Sequence, residues 1–117
     1  PIDIVRLGIG ENGHIAFNEP GSDKRSRARK VILSPSTKEA NAKNFKSDMP
    51  VEALSLGVEN ILESKKIYLL AIGKNKAKAV KYLVEGPETP QWPCSYLKEH
   101  PNILVFLDRD AASLLSN

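Results

Sequence analysis

The chain has 117 residues and a formal charge of +3, which allows one domain or less, with a modest core. No apolar run is long enough to cross a bilayer, and the opening Pro1 with its following strand is not a signal-peptide pattern. The single cysteine, Cys94, excludes an intrachain disulfide framework and suits a reducing, cytoplasmic setting.

Ile2–Leu7 reads as a buried strand. A glycine-rich bend follows, and Pro20 and Gly21 end that segment sharply, because proline lacks a donor and glycine tolerates positive φ. Arg29–Leu33 is a second short strand. Ser34 or Ser36 can cap a polar helix from Thr37 to about Phe45, with Glu39 placed as in a capping box, and residues 47–50 break it. Val51–Leu56 leads to Gly57, and residues 58–63 form a short amphipathic helix with Val58, Ile61 and Leu62 on one side. Lys66–Ile72 is the clearest strand, a continuous apolar run of the kind buried on both faces of a parallel sheet. Gly73 turns it into a helix over Lys74–Glu85, with Ala77, Val80, Leu83 and Val84 inward and Lys74, Lys78 and Lys81 outward. Gly86 and Pro87 stop that helix. A short helix at Ser95–His100, a strand at Asn102–Leu107 and a closing helix at Arg109–Leu115 complete the chain. Strands alternating with helices predict an α/β fold built as a three-layer parallel sheet flanked by helices and Rossmann-like.

Residues 8–20, Gly-Ile-Gly-Glu-Asn-Gly-His-Ile-Ala-Phe-Asn-Glu-Pro, carry the most chemical information. They leave a strand at its carboxyl end, where α/β sheets bind ligands. They also bring a histidine, His14, within five positions of a carboxylate, Glu19. A histidine titrates near neutrality and suits proton transfer at cellular pH. From spacing alone, a catalytic and a structural His14 stand about even. Lys76 sits where a strand gives way to a helix, a place whose N–H groups and dipole favour a phosphate; surface lysines are common enough that this alone is weak. Five of the seven residues from Lys24 to Lys30 are basic. No aromatic residue or recognition motif accompanies them, so a solvated face is favoured over nucleic acid, with a pocket for a phosphorylated ligand between the two. Cys94, among Trp92, Pro93 and Tyr96, reads as a packed thiol rather than a nucleophile.

The stretch 8–20 resembles the signature of the glucosamine-6-phosphate deaminase/isomerase family, Gly-x-Gly-x-(Asp/Asn)-Gly-His-Ile-(Ala/Gly)-Phe-Asn-Glu-Pro, almost without a break. The resemblance implies that His14 helps open the pyranose ring, with Glu19 in its relay. Asn12 stands where well-known members carry aspartate and other branches asparagine; an amide can orient the imidazole but supplies no negative charge, so a His14 less basic than in the aspartate-bearing members is expected. Lys76 matches the family lysine on the sugar phosphate. Lys43 matches a phosphate-binding arginine on a lid segment, keeping its charge but losing its bidentate fork. Ser22 and Arg29 match residues that bind an N-acetylglucosamine 6-phosphate activator in allosteric members. Asp23 and Val31 replace a serine and a lysine of that pattern, so loss of this activation is expected.

The resemblance further implies that the chain is incomplete, the C-terminal portion (1–117) of a sugar-phosphate isomerase/deaminase domain. The aspartate that removes the C2 proton would lie in a missing N-terminal half, and the chain alone is expected to be inactive. The expected substrate is a phosphorylated amino sugar, glucosamine 6-phosphate or its galactosamine epimer, converted to a ketose phosphate and ammonia. No metal or organic cofactor, nucleic acid or membrane is implied, and a homo-oligomer of the full-length protein is left open. Two alternatives stand beside this one. A 6-phosphogluconolactonase shares the fold, but residues 17–20 argue against it. A non-catalytic sugar-phosphate-binding regulator would not need His14 and Glu19 together.

Overall fold

The computed structural model describes residues 1–33 and 51–116. Three strands form a parallel sheet in the order β1 (Ile4–Leu7), β4 (Lys66–Ala71), β5 (Ile103–Leu107). The run read as the clearest strand is therefore the central one, with Val5, Ile67 and Ile103 in register, then Leu7, Leu69 and Val105. A second, antiparallel pair joins β2 (Arg29–Ile32) to β3 (Glu52–Ser55). The β3 strand was not anticipated: its inward positions hold small residues, Ala53 and Ser55, which give a weak apolar alternation. The expected cap at Ser34–Ser36, the polar helix from Thr37 and Lys43 lie outside the described residues.

Two helices, α1 (Val58–Leu62) and α2 (Ala77–Val84), lie on one face of the parallel sheet, with a 3₁₀ helix at Pro93–Glu99. Val5, Ile67 and Leu69 from the strands meet Ile61, Ala79, Val80, Leu83 and Leu97 in one core. Complete burial of a side chain such as Ile67 or Leu69 contributes roughly 1.5–3 kcal/mol. The parallel α/β sheet is thus as expected, and the described residues supply the sheet and the helices of one face. On the other face Ile4, Leu70, Leu104 and Phe106 are exposed, so β4 is buried on alternate residues rather than on both sides.

Three local expectations are corrected. Val84 is exposed and Ala79 is buried beside Ala77, Val80 and Leu83: the buried stripe of the helix runs through Ala79, and Val84, its last residue, falls outside it. The segment Pro93–Glu99 is a 3₁₀ helix beginning two residues earlier than predicted. Residues 109–115 are turns rather than a helix. There the Asp108 carboxylate takes the Ala111 N–H (2.8 Å), and the following backbone bonds mix four-residue and three-residue spacings.

Glycine and serine set the local joints. The Ser26 hydroxyl accepts the Val58 N–H (2.9 Å) and its carbonyl accepts the Glu59 N–H (2.9 Å), so the basic segment caps α1. The basic residues themselves are largely paired within the chain: Lys24 with Glu88 and Glu99, Arg27 with Glu59 and Glu63, and Lys30 with Glu52. Such exposed pairs add little stability, which matches a solvated structural face. His100 is a satisfied core residue. Its Nδ1 accepts the Asn102 N–H (3.0 Å), so Nε2 carries the proton and donates to the Ser64 carbonyl (2.7 Å).

Candidate active site

Because β1 and β4 are parallel neighbours, the loops that follow them emerge at the same edge of the sheet. Residues 8–20 leave β1, and Gly73–Lys76 leave β4. Between them opens a cleft of about 540 Å³, lined among others by Gly10, Glu11, His14, Asn75 and Lys76. The structure thus brings together Asn12, His14, Glu19 and Lys76, which the sequence had separated by up to 64 positions.

The histidine lies on bare backbone. A β-carbon at Gly10 would fall 2.0 Å from His14 Nδ1 and 2.1 Å from Cε1, so the imidazole occupies the space that any other residue would fill. Gly10 N–H donates to the His14 carbonyl and Gly13 N–H to the Gly10 carbonyl (2.9 Å each), which closes the loop into a tight turn. Gly13 has φ +87°, a conformation that favours glycine. Ala16 also has positive φ, +52°, unusual for a residue with a β-carbon.

Asn12 and Glu19 both address one ring nitrogen. His14 Nδ1 lies 2.8 Å from Asn12 Oδ1 and 3.2 Å from Glu19 Oε1. The His14 backbone N–H donates to the same Asn12 atom (3.1 Å), which identifies that atom as the amide oxygen. Both neighbours of Nδ1 are therefore acceptors, so Nδ1 carries the proton and the neutral ring holds its lone pair on Nε2. Burial holds the His14 pKa below the usual histidine value; Glu19 opposes this and Lys76 reinforces it. Burial therefore lowers the basicity of His14 in addition to whatever the amide of Asn12 withholds.

A depressed folded pKa keeps the ring neutral at pH 7 and makes protonation below about pH 6.5 oppose folding. If His14 acts as a base, the acid limb of kcat/KM lies below that same pH. Asn12→Asp is expected to move this limb to higher pH, since a carboxylate against Nδ1 favours the charged ring. A pH–rate profile of the two proteins checks it; an unmoved limb would separate His14 from the rate.

Lys76 Nζ donates to the Ile9 carbonyl (2.6 Å), which fixes it at the cleft beside the histidine loop. Lys74 and Lys78 are exposed, as read from the sequence. Ser22 and Arg29 have structural partners: Ser22 Oγ donates to the Glu19 carbonyl (2.6 Å), and Arg29 Nη1 donates to Asn18 Oδ1 (2.9 Å) and the Arg27 carbonyl (3.2 Å). Asn18, fully buried, also donates through Nδ2 to the carbonyls of Ile15 (3.0 Å) and Leu56 (2.8 Å). Within the signature it is thus a brace rather than a reacting group. Cys94 is likewise inert: fully buried, with burial pushing its thiol pKa up to about 12.

The model of the family described as glucosamine-6-phosphate isomerases/6-phosphogluconolactonase matches residues 1–105. The chain belongs to this family. Among curated members, the glucosamine-6-phosphate deaminase of Lacticaseibacillus paracasei is 55% identical over 118 residues, covering 99% of this chain and 50% of that protein. The glucosamine-6-phosphate deaminase of Listeria welshimeri is 51% identical over 117 residues, covering 98% and 50%. The chain therefore spans about half the length of the curated relatives it matches. Among solved members of the family, a monomeric glucosamine-6-phosphate deaminase superposes with a TM-score of 0.92 at 49% identity, covering 97% of this chain and 48% of that one. The 6-phosphogluconolactonase from Trypanosoma cruzi superposes at 0.73 with 24% identity, covering 100% and 42%, a likeness of fold alone.

Proposed function

We propose that this chain forms one wall of a glucosamine-6-phosphate deaminase. The observation that carries the reading is the imidazole of His14, held through Nδ1 by Asn12 and Glu19 in a cleft that also presents Lys76. In this reading Nε2 takes the proton of the anomeric hydroxyl and returns it to the ring oxygen as the ring opens. Glu19 stabilises the transient imidazolium, and Asn12 keeps the ring oriented. Lys76 neutralises the phosphate, with Lys43 expected to assist. In the open sugar, shifting the C2 proton to C1 gives a ketose imine; water then releases ammonia and leaves fructose 6-phosphate.

Among the described residues the acids lining the cleft do not include one assigned to the C2 proton, and that base is proposed to come from outside these 117 residues. Activation by N-acetylglucosamine 6-phosphate is not expected, because Arg29 is engaged with Asn18 and Asp23 would repel a phosphate. The higher identity to deaminases than to the lactonase favours the deaminase over the hydrolase.

Ammonia release from glucosamine 6-phosphate and galactosamine 6-phosphate by the full-length protein tests the reading. Turnover of the first is expected; hydrolysis of 6-phosphogluconolactone with no ammonia from either amino sugar would overturn it. Lys76→Met is expected to lower kcat/KM by about 10–100-fold, the loss of one hydrogen bond to a charged group, chiefly through KM. An unchanged KM would remove Lys76 from the phosphate site.

A further inference from the structure

We propose that Trp92, the only tryptophan of the chain, is a positioning residue that holds the loop carrying His14 in place. The half-buried indole lies between the core and this loop. On one side it stacks on Tyr82 of α2, with ring centroids 4.3 Å apart and planes 7° from parallel. On the other, its Cε3 lies only 2.6 Å from where a β-carbon of Gly13 would stand, so it rests against bare glycine backbone. Gly13 is the residue between Asn12 and His14, and its positive φ sets the direction of both.

The main chain around Trp92 is clasped to the loop as well. Cys94 N–H donates to the Gly13 carbonyl (2.9 Å), and Gly21 N–H donates to the Pro90 carbonyl (2.7 Å). Those two bonds grip the loop near its middle and at its end. The clasp is itself rigid: Thr89 N–H donates to Ser95 Oγ (2.8 Å), Ser95 Oγ donates to the Thr89 carbonyl (3.2 Å), and Trp92 N–H also donates to that carbonyl (3.1 Å). A continuous packed path thus runs from the inner face of α2 through Tyr82 and Trp92 to Gly13 and on to His14. Trp92 acts through Gly13, and the accuracy it provides matters because a misplacement of about 1 Å can cost about 10²-fold in rate.

The chain contains two histidines with opposite tautomers, Nδ1–H at His14 and Nε2–H at His100, which gives an internal control. In ¹⁵N spectra of the imidazoles, Trp92→Ala is expected to move the His14 pair toward an average of the two tautomers while the His100 pair stays. Trp92→Phe, which keeps a ring on Tyr82, is expected to restore most of the His14 signature. Should Trp92→Ala lose the His100 signature too, Trp92→Leu, which fills space without stacking on Tyr82, is judged instead: a moved His14 pair with His100 retained supports the proposal, and an unmoved one overturns it. A His14 signature unchanged in Trp92→Ala with His100 retained overturns it. The kinetic arm rests on the deaminase reading: kcat should fall about 10²-fold in Trp92→Ala with KM nearly unchanged. The spectra do not depend on that reading, so its failure and the failure of this proposal are distinguishable.

Discussion

Replacing Gly10 with alanine is expected to lower kcat by about 10³-fold while leaving the fold nearly as stable as before. The added methyl would lie 2.0 Å from Nδ1, 2.1 Å from Cε1 and 2.7 Å from Cγ of His14, so something must move. The obstructing atoms belong to a side chain with two rotatable bonds, and the ring can swing aside. Gly10 does not have positive φ, so alanine adds no backbone strain there. The bonds of Gly10 N–H to the His14 carbonyl and of Gly13 N–H to the Gly10 carbonyl use main-chain atoms that the substitution leaves in place. What is lost is the approach of Nδ1 to Asn12 and Glu19, and with it the orientation of Nε2. General base catalysis contributes about 10²–10⁴-fold, and a displaced base forfeits much of that. Steady-state ammonia release by the full-length protein, on the deaminase reading proposed above, and a thermal melt of the same protein check the two halves. The combination with His14→Ala sharpens the test, because both changes act through one group and should not add. Additive losses, or full turnover by Gly10→Ala, would refute the close-packed histidine.

The closeness of His14 and Glu19 was readable from the sequence, and its supports were not. His14 and Glu19 stand five positions apart in a bend, and a short loop cannot take them far from each other. Strand β4 was legible because an apolar run between Lys66 and Gly73 has few other homes, and α2 because Ala77, Val80 and Leu83 recur at helical spacing. Strand β3 was missed because its alternation rests on Ala53 and Ser55. The closing helix failed although Asp108 caps the Ala111 N–H, because the backbone bonds that follow do not repeat at four-residue spacing: one spans four residues and the next two span three. Gly10 under the imidazole, Trp92 over Gly13 and Arg29 on Asn18 were invisible for another reason. Each is a contact of particular atoms across the fold, and neither periodicity nor composition encodes which glycine lies beneath which ring.

Gly57→Ala is expected to show the opposite pattern, a stability loss of about 3 kcal/mol with its effect on turnover only secondary. Gly57 has φ −80° and ψ 169°, extended backbone open to any residue, so conformational freedom does not explain the glycine. Alanine at such a site would ordinarily stabilise by about 0.4–1 kcal/mol through the unfolded chain. Here a β-carbon would lie 2.1 Å from the Ser26 carbonyl oxygen, 2.2 Å from its carbon and 2.4 Å from the Arg27 Cα. All three are main-chain atoms, and they cannot rotate away. Ser26 is held by its bonds to Val58 and Glu59, and Arg27 by Glu59 and Glu63, so retreat would uncap α1 and unseat the fully buried Val58 and Ile61. The neighbouring Leu56 carbonyl holds Asn18, which carries part of the disturbance back to the signature loop. Urea denaturation is expected to show a lower midpoint with an unchanged slope. A Gly57→Ala protein as stable as its parent would mean that the contact between residues 26–27 and the start of α1 is looser than these distances require.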